Sequence, residues 1–282
     1  MKYTRTNDRC SIASTAVKPV PQFLEGVWFN TDPGTGEVAK VVITVRNGTA
    51  SIRAFGADTS GLIEWGEAPV TPYVDRIGSS LVTGFFAEYD FGFMKTRLAA
   101  NVKYGVLVIQ TYNEFSDDSG RPPYFTGREF FSREVIHCHQ ALPPEAHSVA
   151  LGDLLEKAND GGGTVDLSHY LGHWTNANPD TSGIPHFDFD RRGNDFYMRA
   201  FGAGYPECWG EVIVTPHALD VAGKRGIAFL ARYVFEFVEI TLAVNENKGL
   251  IIIASYHRFK DASPRSDYFK REFFYHEDVV RR

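Results

Sequence analysis

Phe85-Phe86-Ala87-Glu88-Tyr89-Asp90-Phe91-Gly92-Phe93 places Phe85, Ala87, Tyr89, Phe91 and Phe93 on alternate positions, and 144 positions later Phe229-Leu230-Ala231-Arg232-Tyr233-Val234-Phe235-Glu236-Phe237 repeats the pattern. A period of two over nine residues reads as a β-strand with one buried and one wet face. Its recurrence means that one unit occurs twice in the chain. Outward from this strand the copies continue. Arg53-Ala54-Phe55-Gly56-Ala57 returns as Arg199-Ala200-Phe201-Gly202-Ala203, and Trp65-Gly66-Glu67 as Trp209-Gly210-Glu211. Asp117, Ser119, Arg121, Tyr124 and Phe125 return as Asp261, Ser263, Arg265, Tyr268 and Phe269, and Arg-Glu-Phe-Phe closes both copies at 128–131 and 271–274. The offset drifts only from 146 to 143 along the way.

Each copy reads as all-β. Val41, Ile43 and Val45 alternate with polar or solvent-facing positions, and their counterparts include Phe187 and Phe189. Val106–Tyr112 and Leu250–His257 are more continuously apolar, as strands packed on both faces should be. Turn signals at Asp32-Pro33-Gly34, Asn47-Gly48, Asp118-Ser119-Gly120, Gly193-Asn194-Asp195 and Asn247-Lys248-Gly249 separate the strands at short intervals. Sequential strands joined by tight turns make an antiparallel meander, closed as a barrel or stacked as a sandwich. Between the copies, Pro143-Pro144 breaks the last strand, 145–160 has helical composition, and Gly161-Gly162-Gly163 ends it. The expected organisation is a lead-in at 1–20, a β domain at 21–136, a helical linker at 137–165 and a second β domain at 166–282.

Composition narrows the partners. Twenty-two Phe and thirteen Tyr can wall an aromatic cavity. A formal charge of −6 argues against nucleic acid, whose binders carry a basic face. No apolar run is long enough to span a membrane, and the N-terminus lacks the apolar core of a secretory signal. Cys10, Cys138 and Cys208 are odd in number and unmatched between copies, which favours free thiols in the cytoplasm. His137-Cys138-His139 has two of the ligands a zinc site needs and no further set at the usual spacing. No phosphate-binding glycine loop, nucleophile elbow or His-Glu-x-x-His is present, so neither cofactor nor metal is expected.

Each copy opens on Gly-x-Trp, Gly26-Val27-Trp28 and Gly172-His173-Trp174, behind a short stretch able to form a helical turn. This resembles the opening of lipocalins and the wider calycin group. The resemblance implies two tandem up-and-down barrels joined by the linker helix. It also implies an Arg packed across each Trp, with Arg128 or Arg133 available in the first copy and Arg271 in the second. Such barrels hold a small molecule among inward-facing side chains. Tandem lipocalin-like barrels are similar in architecture to some cofactor-free enzymes acting on hydrophobic metabolites, among them carotenoid hydratases and fungal cyclases.

Several residues stand out as site candidates. Arg53 and Arg199 could anchor an anion, or pair with Glu67 and Glu211 on the outside. Trp65 and Trp209 could stack a planar ligand, or pack a strand end. Tyr89 and Tyr233 share a face with Phe residues and would line a cavity. Tyr112 and Tyr256 are equivalent, and His257 follows only in the second copy, where the first has Asn113. That asymmetry makes His257, with Tyr233 and Arg199, the candidate catalytic set, and Phe187 and Phe189 the candidate wall. Two functions stay open: binding of a hydrophobic or aromatic small molecule inside a barrel, or a cofactor-independent isomerase, cyclase or hydratase. A homodimer is also left open.

Overall fold

A computed structural model describes residues 17–58, 61–133, 164–204 and 207–276. The first half contains β1 (Gly26–Asn30), β2 (Val38–Arg46), β3 (Thr49–Asp58), β4 (Gly61–Pro69), β5 (Thr71–Val74), β6 (Val82–Asp90), β7 (Met94–Lys103), β8 (Val106–Phe115) and β9 (Tyr124–Ser132). The second contains β10 (Gly172–Asn176), β11 (His186–Arg192), β12 (Asp195–Phe201), β13 (Cys208–Ala218), β14 (Gly226–Val234), β15 (Val238–Asn247), β16 (Leu250–Phe259) and β17 (Tyr268–His276). Turns of 3-10 helix at Pro21–Leu24 and Ser168–Tyr170 precede β1 and β10. Among the described residues there is no α-helix, and so none long and apolar enough to cross a membrane. The all-β expectation therefore holds. The expected linker helix lies outside the described residues, as do Cys10, Cys138 and the His137–His139 cluster. Cys208 is a free, exposed thiol.

In each half the antiparallel ladder returns to its own first strand. Strand β1 pairs with β2 and with β9, and β10 pairs with β11 and with β17. Strands β4 and β5 are one path interrupted at Val70, whose N–H donates to Ala50 O at 3.0 Å. The period-two pattern sorts side chains as expected: Phe85, Ala87 and Tyr89 are buried, whereas Glu88 and Asp90 are exposed. Val41, Ile43, Ile52, Phe85 and Leu98 fill one core, and Phe187, Phe189, Phe196, Phe229 and Phe274 the other.

Gly-x-Trp seals one end of each core. Trp28 Nε1 donates to Leu24 O at 2.9 Å, and Trp174 Nε1 to Tyr170 O at 2.8 Å, so each indole ties its strand to the preceding turn. Arg133 lies over Trp28, 4.4 Å from the ring centroid. In the second half Arg271 does not take this place. His276, the true equivalent of Arg133, stands edge-on to Trp174 at 4.9 Å. Arg271 sits instead near Arg128, and burial with that neighbouring charge pulls its pKa down to about 10.

The two halves meet along the outer faces of their last strands. Tyr73, Ala99, Tyr112, Phe125, Leu230, Ala243, Tyr256 and Phe269 form one buried cluster there. This second burial accounts for the continuous apolar runs of β8 and β16, whose other faces line the cores. Equivalent contacts occur twice. Tyr112 donates its hydroxyl to Val244 O at 3.2 Å, and Tyr256 donates to Ala100 O at 3.2 Å. His217 stands edge-on to Tyr112 at 5.1 Å, as its equivalent Tyr73 does to Tyr256 at 5.1 Å. One-residue parallel bridges join Val74 to Tyr268 and Ala218 to Tyr124. These pairs are related by the same offset of 144, so the contact is a pseudo-two-fold one.

The repeated Asp-x-Ser-x-Arg serves that contact. Arg121 Nε donates to Ser119 Oγ at 2.8 Å, its Nη2 reaches Asp117 Oδ2 at 2.5 Å, and its plane lies 3.8 Å from the Phe115 centroid. Arg265 repeats this with Ser263, Asp261 and Phe259. Both guanidinium groups are buried, so the loop before β9 or β17 is held where its end can reach the other half. There Pro123 O accepts from Ala218 N–H at 2.8 Å, and Asp267 O from Val74 N–H at 2.9 Å.

If the two tyrosine hydroxyls tie the halves together, Tyr112→Phe and Tyr256→Phe should each lower stability by about 1 kcal/mol. Urea unfolding followed by tyrosine fluorescence and by far-UV circular dichroism would measure it. Equal losses are expected from the two variants, because their contacts are equivalent.

Candidate functional site

The motifs most evident in the sequence turn out to form a backbone device. Gly66 (φ 87°) and Gly210 (φ 84°) sit in the left-handed region that other residues avoid. Beside them the β3–β4 register shifts between Arg53 and Phe55, and the β12–β13 register between Arg199 and Phe201. A bulge of this kind leaves backbone groups outside the ladder. From the core side, Tyr89 accepts from Ala54 N–H at 3.0 Å and donates to Ile52 O at 2.9 Å. Tyr233 accepts from Ala200 N–H at 3.1 Å and donates to Met198 O at 2.8 Å. Trp65 packs edge-on to Tyr89 at 5.5 Å, as Trp209 does to Tyr233 at 5.5 Å. Gly56 admits that indole: a Cβ there would stand 2.8 Å from Trp65 Nε1.

The other candidates disperse. Arg53, about half exposed, faces Glu64 at 3.6 Å and lies opposite the exposed Glu67 in the ladder. Arg199 reaches Glu211 at 3.1 Å, and Arg192 shares that carboxylate at 2.6 Å. Phe187 and Phe189 are fully buried within the second core, where they fill space. Tyr112 and Tyr256 spend their hydroxyls between the halves. His257 is buried, stacks on Tyr268 at 4.1 Å and has Nε2 3.2 Å from Ser255 Oγ. Burial, aided by Lys270, pulls its pKa down to about 3, so the ring is neutral near pH 7.

A groove of about 830 Å³ opens between the halves. Pro69, Tyr73, Phe86, Leu230 and Tyr256 supply apolar and aromatic surface, and Phe86 lies 4.0 Å from Tyr256 between centroids. Of the thirteen candidates from the sequence, Tyr256 alone lines it. Its walls differ in charge. From the first half, Arg97 bonds Glu88 at 2.9 Å and faces Glu114 at 3.8 Å. From the second, Arg232 and Arg258 share Glu239, at 2.8 Å and 3.3 Å. One wall thus carries an excess carboxylate and the other an excess guanidinium. The charges of Glu88 and Glu114 are reversed at their repeat equivalents, Arg232 and Arg258. Single-copy periodicity places these residues only on a wet face; the comparison of copies at those positions is the signal that marks them.

A second polar constellation lies within the first half. Asn30 Nδ2 and Thr35 Oγ1 each donate to Glu129 Oε1 at 2.7 Å, and Glu129 Oε2 is buried without a hydrogen-bond partner. Glu37 stands close by. Burial, reinforced by Glu129, pushes its pKa up to about 8, and burial raises Glu129 as well. Tyr124, which packs towards this end, is raised by burial and by Glu37. In the sequence, Glu129 shares inward parity with Phe131 within a repeated motif, which is the mark of a buried charge.

No family model, curated protein or solved structure matches the chain.

The carboxyl pair carries a pH signature. Glu37 has a folded pKa above its ordinary 4.5, so folding takes up a proton between about pH 4.5 and pH 8. Stability from this group is therefore present in acid, falls across that window and levels off above it. Glu129 acts in the same direction. Glu37→Gln should flatten the slope and gain roughly 2–4 kcal/mol over the parent at pH 8. Urea midpoints at pH 5, 6.5 and 8 would check this; an unchanged slope would contradict it.

Proposed function

We propose that this protein binds an amphipathic aromatic small molecule carrying an anionic group, and that the ligand lies in the groove between the halves. Each half is read as a lipocalin-like up-and-down barrel whose interior is a packed support. The observation that carries the reading is the pairing of Arg232 and Arg258 with one carboxylate, Glu239, beside Tyr73, Phe86 and Tyr256. Two guanidinium groups on one carboxylate leave hydrogen-bond donors and a positive charge available to a ligand carboxylate, enolate or sulfonate. The rings beneath supply surface for a planar body, and the volume suits a drug-sized molecule. Binding inside the second barrel draws less support, since Phe187, Phe189, Phe196, Phe229 and Phe274 pack there and Tyr233 is bonded to backbone.

The isomerase, cyclase or hydratase reading has a weaker basis. His257 is neutral and enclosed, Arg199 is paired on the exterior, and Tyr233 has its phenol pushed above the ordinary value by burial. None of the three faces the groove.

Fluorescence titration with 1-anilinonaphthalene-8-sulfonate separates the locations. Arg232→Ala combined with Arg258→Ala should weaken the probe by roughly tenfold, about 1.4 kcal/mol. Arg199→Ala and His257→Ala should stay within twofold of the parent. Loss on His257→Ala with the double variant unaffected would move the ligand into the second barrel.

A further inference from the structure

The two halves treat one buried carboxylate differently. In the second half Glu272 receives Asn176 Nδ2 at 3.1 Å, Ile184 N–H at 3.2 Å and Thr181 Oγ1, and Lys270 Nζ stands 3.4 Å from it. In the first half the equivalent Glu129 keeps the equivalent Asn30 and Thr35, and the backbone N–H of Val38, the equivalent of Ile184, still favours its charged form. Its cation is missing. The position of Lys270, opposite Ser255 in the ladder, is Gly127, opposite Thr111. A second carboxyl is present as well: Glu37 stands where the second half has Gly183, a residue whose Cβ would collide with Glu272.

What flanks Gly127 is left incomplete. Thr111 is 2% exposed with Oγ1 unpartnered, and Asn113, next on the same face of β8, is 2% exposed with Nδ2 unpartnered. Thr96 Oγ1 donates to the other amide atom, Asn113 Oδ1, at 2.7 Å. Glu129 Oε2, which no side chain reaches, projects from the position next to Gly127 on that face of β9. Among the described residues, neither Glu37 nor Glu129 has an ion pair. Buried polar groups are rarely left this way, and two partly buried carboxyls side by side without a cation add to the cost.

We propose that the interior of the first half binds a primary alkylammonium group in the place that the Lys270 side chain fills in the second. An ammonium offers three N–H donors. Glu129 Oε2, the Glu37 carboxyl and Thr111 Oγ1 offer three acceptors, and the alkyl chain would follow the path of a lysine stem. Glu37, Thr35 and Glu129 are only partly buried, so the entry lies beneath the β1–β2 loop, at the end away from Trp28. This site is separate from the groove and does not depend on it.

Thermal unfolding of the full chain with n-butylammonium chloride, against sodium chloride of equal ionic strength, tests the proposal. The expected result is a saturable rise in Tm for the ammonium salt alone. Glu129→Gln should weaken it by at least roughly tenfold, since one charge-assisted bond is lost. Should that variant fail to fold, Thr111→Val removes the neutral acceptor and should weaken binding by about threefold. Lys270→Ala should create a second site, with butylammonium restoring part of the lost stability. No rise beyond sodium chloride, an equal rise with n-butanol, or a rise with calcium or magnesium but not with butylammonium would overturn the proposal. So would a response that Glu129→Gln leaves intact.

Discussion

The fold depends on one contact, the pseudo-two-fold packing of β7 and β8 on β15 and β16. Each half exposes an apolar outer face that water would leave costly, and only the other half covers it. Ala99 and Ala243 keep the sheets close, while Phe125, Phe269 and the paired tyrosines fill the remainder. Burying a large apolar side chain is worth about 1.5–3 kcal/mol, so this cluster ranks with a small domain core. The tyrosine hydroxyls add direction to it. Each reaches a carbonyl of the opposite half, and a slip by one residue would strand both.

The repeated motifs divide between two structural tasks. Arg-Ala-Phe-Gly-Ala and Trp-Gly-Glu build a bulge, with a tyrosine spanning it from within and an indole covering that tyrosine. Asp-x-Ser-x-Arg and the Tyr-Phe that follows build the loop clip and the bridge to the other half. Both tasks are performed by buried polar groups, which tolerate little change because each donor or acceptor left alone costs about 1–3 kcal/mol. Residues at freer positions have diverged. Glu88 and Glu114 stand opposite Arg232 and Arg258 in the repeat, Glu37 opposite Gly183, and Gly127 opposite Lys270. The groove and the carboxyl niche both lie where the copies differ.

That division reverses a natural expectation about duplicated motifs. Residues that recur in both copies hold the scaffold, because the same backbone geometry has to be solved twice. Among the residues that differ are the charged walls of the groove and the groups around the buried carboxyl of the first half. His257 is an instructive exception. It is unique to the second half, yet it is enclosed between Tyr268 and Ser255, and burial keeps it neutral.

The duplication, the all-β class and the strand parity were legible in the sequence, because side-chain alternation and turn chemistry are local and survive without knowledge of partners. Phe85, Ala87 and Tyr89 face inwards as their period requires, and the continuous apolar runs of β8 and β16 are buried on both faces. Location was not legible. Parity assigns a residue to a face but does not say whether that face looks into a core, onto the other half or into solvent. Tyr89 and Tyr112 read alike as aromatic candidates; one spans a bulge inside a core and the other ties two halves together. The groove is formed from residues about 100 to 190 positions apart, and its charged walls exist only once two separate sheets are laid against each other. The sequence determined what each strand could bury, whereas the tertiary structure decided which burial became a core, which became a contact and which remained open, because that choice rests on the long-range pairing of faces.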